Sequence, residues 1–147
     1  MSSDTIFSIV NAWVLPGWLL IALAPSWRYT SRLVFYLAII PLTVTYAYLL
    51  ISGLDNMSAD AFSTLDSVVA LFSSPEAVLT GWVHYLAFDL FTGLMIAKDA
   101  RKLKINQWIV IIPLFFTLMF GPFGLLLYAI IRLIRVKQAG VPMLSNI

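Results

Sequence analysis

Four apolar runs, each long enough to cross a bilayer, dominate this chain, and all nine of its Lys and Arg residues lie outside them. A crossing helix needs about 20 predominantly apolar residues, and the runs cover residues 6–24, 33–53, 77–97 and 107–128. Only 11% of the residues are charged, where a soluble domain has about a quarter. So few charges cannot cover a globule, which makes lipid the solvent. The reading is a single integral membrane domain over residues 1–147: an all-α membrane protein with four transmembrane helices.

The charges between the runs set an orientation. Arg28 and Arg32 lie in the first loop and Lys98, Arg101, Lys102 and Lys104 in the third, while the middle loop carries Asp55, Asp60, Asp66 and Glu76 and no cation. The positive-inside rule then places the first and third loops in the cytoplasm and both termini outside. Arg132, Arg135 and Lys137, after the fourth run, count the other way, six against three. Within the middle loop Phe62, Leu65, Val69 and Phe72 recur at helical spacing opposite Asp60, Ser63 and Ser67. That pattern predicts a short amphipathic helix over about residues 59–72, lying on the outer membrane surface. Ser74-Pro75-Glu76 then opens the third span with a cap, a first-turn proline and an acid at the positive helix end.

Much chemistry is excluded by inventory. There is no cysteine and one histidine, His84, so thiol chemistry, iron–sulfur ligation and a Cys/His zinc site all lack ligands. A bis-histidine haem or a His-rich di-iron centre fails for the same reason, and no mid-membrane lysine exists for a Schiff base. Glycine-rich nucleotide motifs are absent. A net charge of +2, grouped at segment ends, gives no nucleic-acid surface. Neither a metal nor a cofactor is expected. The first residues carry Asp4 and no cation, unlike a signal or transit peptide, so the chain reads as bacterial.

Prolines interrupt the runs: Pro16 and Pro41 near the middles of the first two, Pro113 and the pair Gly121-Pro122 in the fourth. Such breaks are tolerated where protein or a cavity receives the freed backbone groups, and they are also commoner in membrane helices generally. Gly121-Pro122 predicts a kink or break within a turn of Phe120.

Asp89 lies near the centre of the third run, with no Lys or Arg inside any run to neutralise it. An ionised carboxylate at that depth costs about 2.5–3.5 kcal/mol on insertion scales. It must hold a proton, be hydrogen-bonded within the bundle, or be wetted. Thr43, Thr45, Tyr46 and Thr117 stand at similar depth, and helix-to-helix hydrogen bonding through them is the plain structural alternative to function. His84, five residues earlier, points about 140° away around the helix and cannot pair with Asp89; alone it reads more readily as a packing residue than as a catalyst. Trp82, Tyr85, Asp89 and Gly93 share one face, with an aromatic surface, a phenol, a carboxyl and a gap. The stripe suits a flat or ringed apolar ligand, or else an aromatic packing seam.

The stretch 71–100, LFSSPEAVLTGWVHYLAFDLFTGLMIAKDA, and the later FTLMFGPFGLLLYAIIR, 116–132, resemble the plant "abscisic acid deficient four" family, required for neoxanthin synthesis, and its bacterial relatives. The resemblance implies a protein of a thylakoid or bacterial inner membrane linked to conversion of violaxanthin to neoxanthin. That reaction is a redox-neutral isomerisation needing an acid at an epoxide oxygen and a base at carbon. In the matching stretch Glu76, His84 and Asp89 can move protons, and the expected catalytic set is these three. Trp82, Tyr85, Phe88, Gly93 and Thr117 are the expected substrate contacts. The partners implied are the lipid bilayer, a xanthophyll-like pigment and a partner membrane enzyme or a second copy. A non-catalytic carotenoid-binding or partner-assisting role is the alternative.

Overall fold

A computed structural model describes residues 2–54, 58 and 60–139. Among them the ordered elements are all helical: α1 (Ser3–Leu23), α2 (Thr30–Gly53), α3 (Leu65–Leu71), α4 (Pro75–Lys102), α5 (Gln107–Phe120) and α6 (Pro122–Ala139). Helices α1, α2 and α4 are long and apolar enough to cross a membrane.

α4 is the central post. Ser74 accepts the Ala77 N–H at 3.2 Å, Pro75 occupies the first turn with Glu76, and Arg101 and Lys102 close the last turn. Both ends thus complement the helix dipole. Its 28 residues give about 42 Å at 1.5 Å per residue, more than the hydrocarbon thickness of about 30 Å. Leu79, Val83, Leu86, Leu90, Gly93, Ala97 and Ala100 are all buried, alternating spacings of four and three, which is a continuous seam along one side. Packing rather than water exclusion drives helices together in lipid, so small residues mark close approaches. Gly17 of α1 is one: a Cβ there would lie 3.0 Å from Leu90 Cδ2 and 3.4 Å from Ala38 Cβ.

Proline in α2 is accommodated by a wide turn. Pro41 has no N–H for the Leu37 carbonyl and its ring crowds that group. Residues Val34–Ile39 open into a π-helical turn just before it, and the Trp13 indole N–H of α1 donates to Leu37 O at 2.8 Å. The loose end of α1 is closed similarly, with Thr30 Oγ1 donating to Ala24 O at 2.6 Å and Gln107 Nε2 to Ala22 O at 2.9 Å.

The fourth apolar run departs from the expectation of a single crossing over 107–128. It breaks at Gly121, and the chain reverses: α5 and α6 form an antiparallel hairpin. A Cβ on Gly124 would fall 2.1 Å from Thr117 N and 2.5 Å from Pro113 O, contacts that no continuous helix makes across seven and eleven residues. The Phe116 and Phe123 rings pack edge to face at 5.3 Å, and at the far end Arg135 Nε donates to Leu103 O at 3.3 Å. With 14 residues, α5 is about 21 Å long, too short to cross. The physical reason lies in Gly121, whose φ of 46° opens a turn that a side-chain-bearing residue resists.

This reversal resolves the charge conflict. α6 ends beside the α4–α5 loop, so Arg132, Arg135 and Lys137 share an end with Lys98–Lys104 and with Arg28 and Arg32, whose loop is tied there by Arg101 donating to Pro25 O. Asp99 anchors the returning arm, accepting from Tyr128 OH at 2.6 Å and Arg132 Nε at 2.8 Å.

In the middle loop the helix is shorter than the expected 59–72. Thr64 caps it by accepting the Ser67 N–H, α3 begins at Leu65, and residues 60–63 form turns. Asp55 and Ala59 lie outside the described residues. Phe62, Leu65 and Val69 are exposed, while Phe72 folds over Gly81.

Candidate functional site at the hairpin tip

The seam of α4 positions Asp89 at mid-helix, and there it meets the tip of the α5–α6 hairpin. Its side chain is 9% exposed, and Oδ2 has no hydrogen-bond partner among the described residues. The backbone of Gly121 lies against the carboxyl so closely that a Cβ would come within 2.7 Å of Oδ1. Two helix ends therefore converge on one carboxyl. On one side of Gly121 α5 ends, with Thr117 O taking the Gly121 N–H at 2.9 Å, and on the other α6 begins at Pro122. An N-terminal helix end favours negative charge and a C-terminal end favours positive charge or a donated proton.

The hydroxyls expected to bind Asp89 are engaged elsewhere. Thr43 donates to Ile40 O, Thr45 to Pro41 O and Thr117 to Pro113 O, each within its own helix, at 2.8 to 2.9 Å. Such back-bonding satisfies a hydroxyl that would otherwise be stranded in an apolar setting. The carboxyl is instead accompanied by Tyr85, one turn earlier on the same face, which interacts with it electrostatically.

The remaining candidates separate into different surroundings. Trp82 stacks on Tyr85 with centroids 5.6 Å apart, meets Phe7 at 5.8 Å, and donates its indole N–H to Asn11 Oδ1 at 3.1 Å. Gly93 is buried, and its gap is already occupied: a Cβ would sit 2.7 Å from Trp18 Cζ3. His84 is exposed on another side of α4, stacked on Phe88 at 4.6 Å and edge-on to Tyr46 of α2 at 5.3 Å. Glu76 lies exposed in the first turn of α4 and accepts from Ser3 Oγ at 3.2 Å. That is about 20 Å from Asp89 along the helix axis. The three proton-moving groups are thus not gathered into one cluster. Two open recesses, about 340 and 350 Å³, both lie at the basic end, and neither is lined by Trp82, Tyr85 or Asp89.

Three residues at the site escape a reading by spacing. Trp18 and Asn11 belong to a run of generic composition and acquire meaning only as the partners of Gly93 and Trp82. Gly121 carries a signal, the Gly-Pro pair, but that pair announces a break and not what lies against it.

Crossing-length helices, a hairpin folded against them and a carboxyl buried where they meet define an all-helical integral membrane protein. Within that class, residues 5–128 match the family model described as ABA4-like, or ABA DEFICIENT 4-like. The chain belongs to that family, and membership points to a xanthophyll-related membrane protein. The matched region contains Asp89, Tyr85 and Gly121 together with both halves of the hairpin tip. Comparison with curated proteins and with solved structures gives no match.

Proposed function

We propose that the protein isomerises an epoxy-xanthophyll by redox-neutral proton transfer, with Asp89 as the group that moves the protons. The observation that carries this reading is the buried carboxyl with one oxygen lacking a partner among the described residues, at the junction of two helix ends. In the reaction the epoxide C–O bond breaks and its oxygen takes a proton. The C–H bond of the adjacent vinylic carbon breaks in turn, its proton goes to a base, and its electron pair completes an allene. A single carboxyl can serve both ends, one oxygen giving a proton while the other accepts one, and it is restored after each turnover. Tyr85 stands beside the carboxyl, and the Trp82–Tyr85 stack offers a flat apolar surface for a ring. Asp89 lies at mid-helix, so the xanthophyll enters deep and tilted to bring its epoxide ring there, and Glu76 and His84, nearer the start of α4, stay outside this step.

A second reading is favoured by a specific observation: the Gly93 gap is filled by Trp18, while Phe7, Trp82 and Phe88 are exposed. On that reading the protein binds a carotenoid or a partner enzyme through exposed aromatic side chains and performs no chemistry.

Expression in a host that accumulates violaxanthin, with chromatography of extracted pigments, separates the two. Catalysis at Asp89 gives an allenic product that is lost in Asp89→Asn and kept in His84→Ala, at matched protein levels. Unchanged product from Asp89→Asn removes the carboxyl from the mechanism. Bound but unaltered pigment on the purified protein supports the binding role.

A further inference from the structure

We propose that the open end of the α5–α6 hairpin is a binding site for an anionic lipid, its headgroup held by Lys104 and Arg135 and its acyl chain laid between the two arms. At the tip the arms touch, because Gly124 admits no side chain between them. At the opposite end isoleucines from both arms line the space between them. The resulting recess, about 340 Å³, has Ile109, Ile131 and Ile134 as walls and Lys104, Asn106 and Arg135 at its mouth.

Charge complementarity selects the occupant. Among the described residues no acidic side chain lines the recess, and the nearby Asp99 is committed to Tyr128 and Arg132. Arg135 spends its Nε on the Leu103 carbonyl, and among the described residues its two terminal amino groups have no hydrogen-bond partner, which leaves them to meet a ligand. Lys104 is held with a φ of 53° by hydrogen bonds from its own N–H to Arg101 O and from Ile105 N–H to Ala100 O. Two placed cations above an apolar slot match a phosphate joined to hydrocarbon, as in basic pockets between membrane helices. A free phosphate would make no use of the isoleucine walls.

The test uses the full chain in mild detergent and native mass spectrometry with phosphatidylglycerol and phosphatidylcholine of identical acyl chains. Retention of phosphatidylglycerol over phosphatidylcholine is expected, and Lys104→Gln with Arg135→Gln should lower that preference about tenfold or more. Lys98→Gln with Lys102→Gln removes equal charge from the neighbouring recess at the same end and should leave the preference intact. Where the double variant fails to fold, Lys104→Gln alone and Ile134→Ser test headgroup and wall separately, and each should weaken retention. Equal retention of both lipids, an equal loss from the Lys98/Lys102 variant, or displacement by inorganic phosphate as effective as by lipid would overturn the proposal. The reading of Asp89 stands apart from this outcome, since the two sites lie at opposite ends of the hairpin.

Discussion

Gly121 and Asp89 are matched to each other: the glycine adopts φ 46°, and the space its missing Cβ would fill is taken by the Asp89 carboxyl, 2.7 Å away at Oδ1. Steric fit and backbone conformation therefore demand glycine for independent reasons. Gly121→Ala should cost about 1–3 kcal/mol from the backbone alone, and displace the carboxyl as well. Gly53 is the control, because a Cβ on that helical residue would meet nothing within 4 Å; Gly53→Ala should be neutral or stabilising by up to about 1 kcal/mol. Thermal denaturation of the two variants in one detergent checks the contrast, and equal effects would remove the argument.

Topology offers a second test. Three helices of crossing length and a hairpin that folds back on itself predict that residues 102 and 137 face the same compartment and residue 60 the other. The chain has no native cysteine, so single variants Lys102→Cys, Lys137→Cys and Asp60→Cys can be labelled with an impermeant reagent. Lys102→Cys and Lys137→Cys should react together, from the cytoplasmic side by the distribution of cations. Labelling of Lys137→Cys with Asp60→Cys would mean that the fourth run crosses after all.

The returning arm depends on Asp99. Tyr128→Phe removes one donor and should cost about 1 kcal/mol. Asp99→Ala removes the acceptor of both Tyr128 and Arg132, and about 2–4 kcal/mol is expected for a half-buried charged pair losing one partner. Limited proteolysis within α6 should accelerate in the same order. Cutting at the wild-type rate in Asp99→Ala would show that α6 is held by apolar packing alone.

Trp13 substitutes for the hydrogen bond that Pro41 cannot make. Trp13→Phe should cost about 1 kcal/mol in the native background. In a Pro41→Ala background the helix recovers its own N–H at that position, so the same change should cost about 0.5 kcal/mol less or better. Identical costs in both backgrounds would mean that the indole contact is incidental.

The residues of α4 made much of this site legible in advance. Asp89 had to hold a proton, be hydrogen-bonded within the bundle or be wetted, because no cation in any apolar run could neutralise it in lipid, and the stripe from Trp82 to Gly93 shares the face that spacing gives it. What spacing could not supply was the partner. Thr43, Thr45 and Thr117 stand at the right depth but turn their hydroxyls to their own helices, since a carbonyl one turn back is always within reach. The gap at Gly93 reads as an opening until Trp18 is seen to fill it.

The sequence by itself determined the apolar runs, the Ser74-Pro75 start of the third span and the exclusion of Lys and Arg from every run, because these follow from apolar length, capping residues and the cost of placing Lys or Arg in hydrocarbon. It also determined that the fourth run must break at Gly121-Pro122, where a backbone donor is missing. Only the tertiary structure decided that the break becomes a reversal. A kink and a hairpin begin from the same two residues, and the choice between them rests on contacts far apart in the chain: Gly124 against Thr117, Tyr128 and Arg132 on Asp99, and Asp89 in the space left by Gly121.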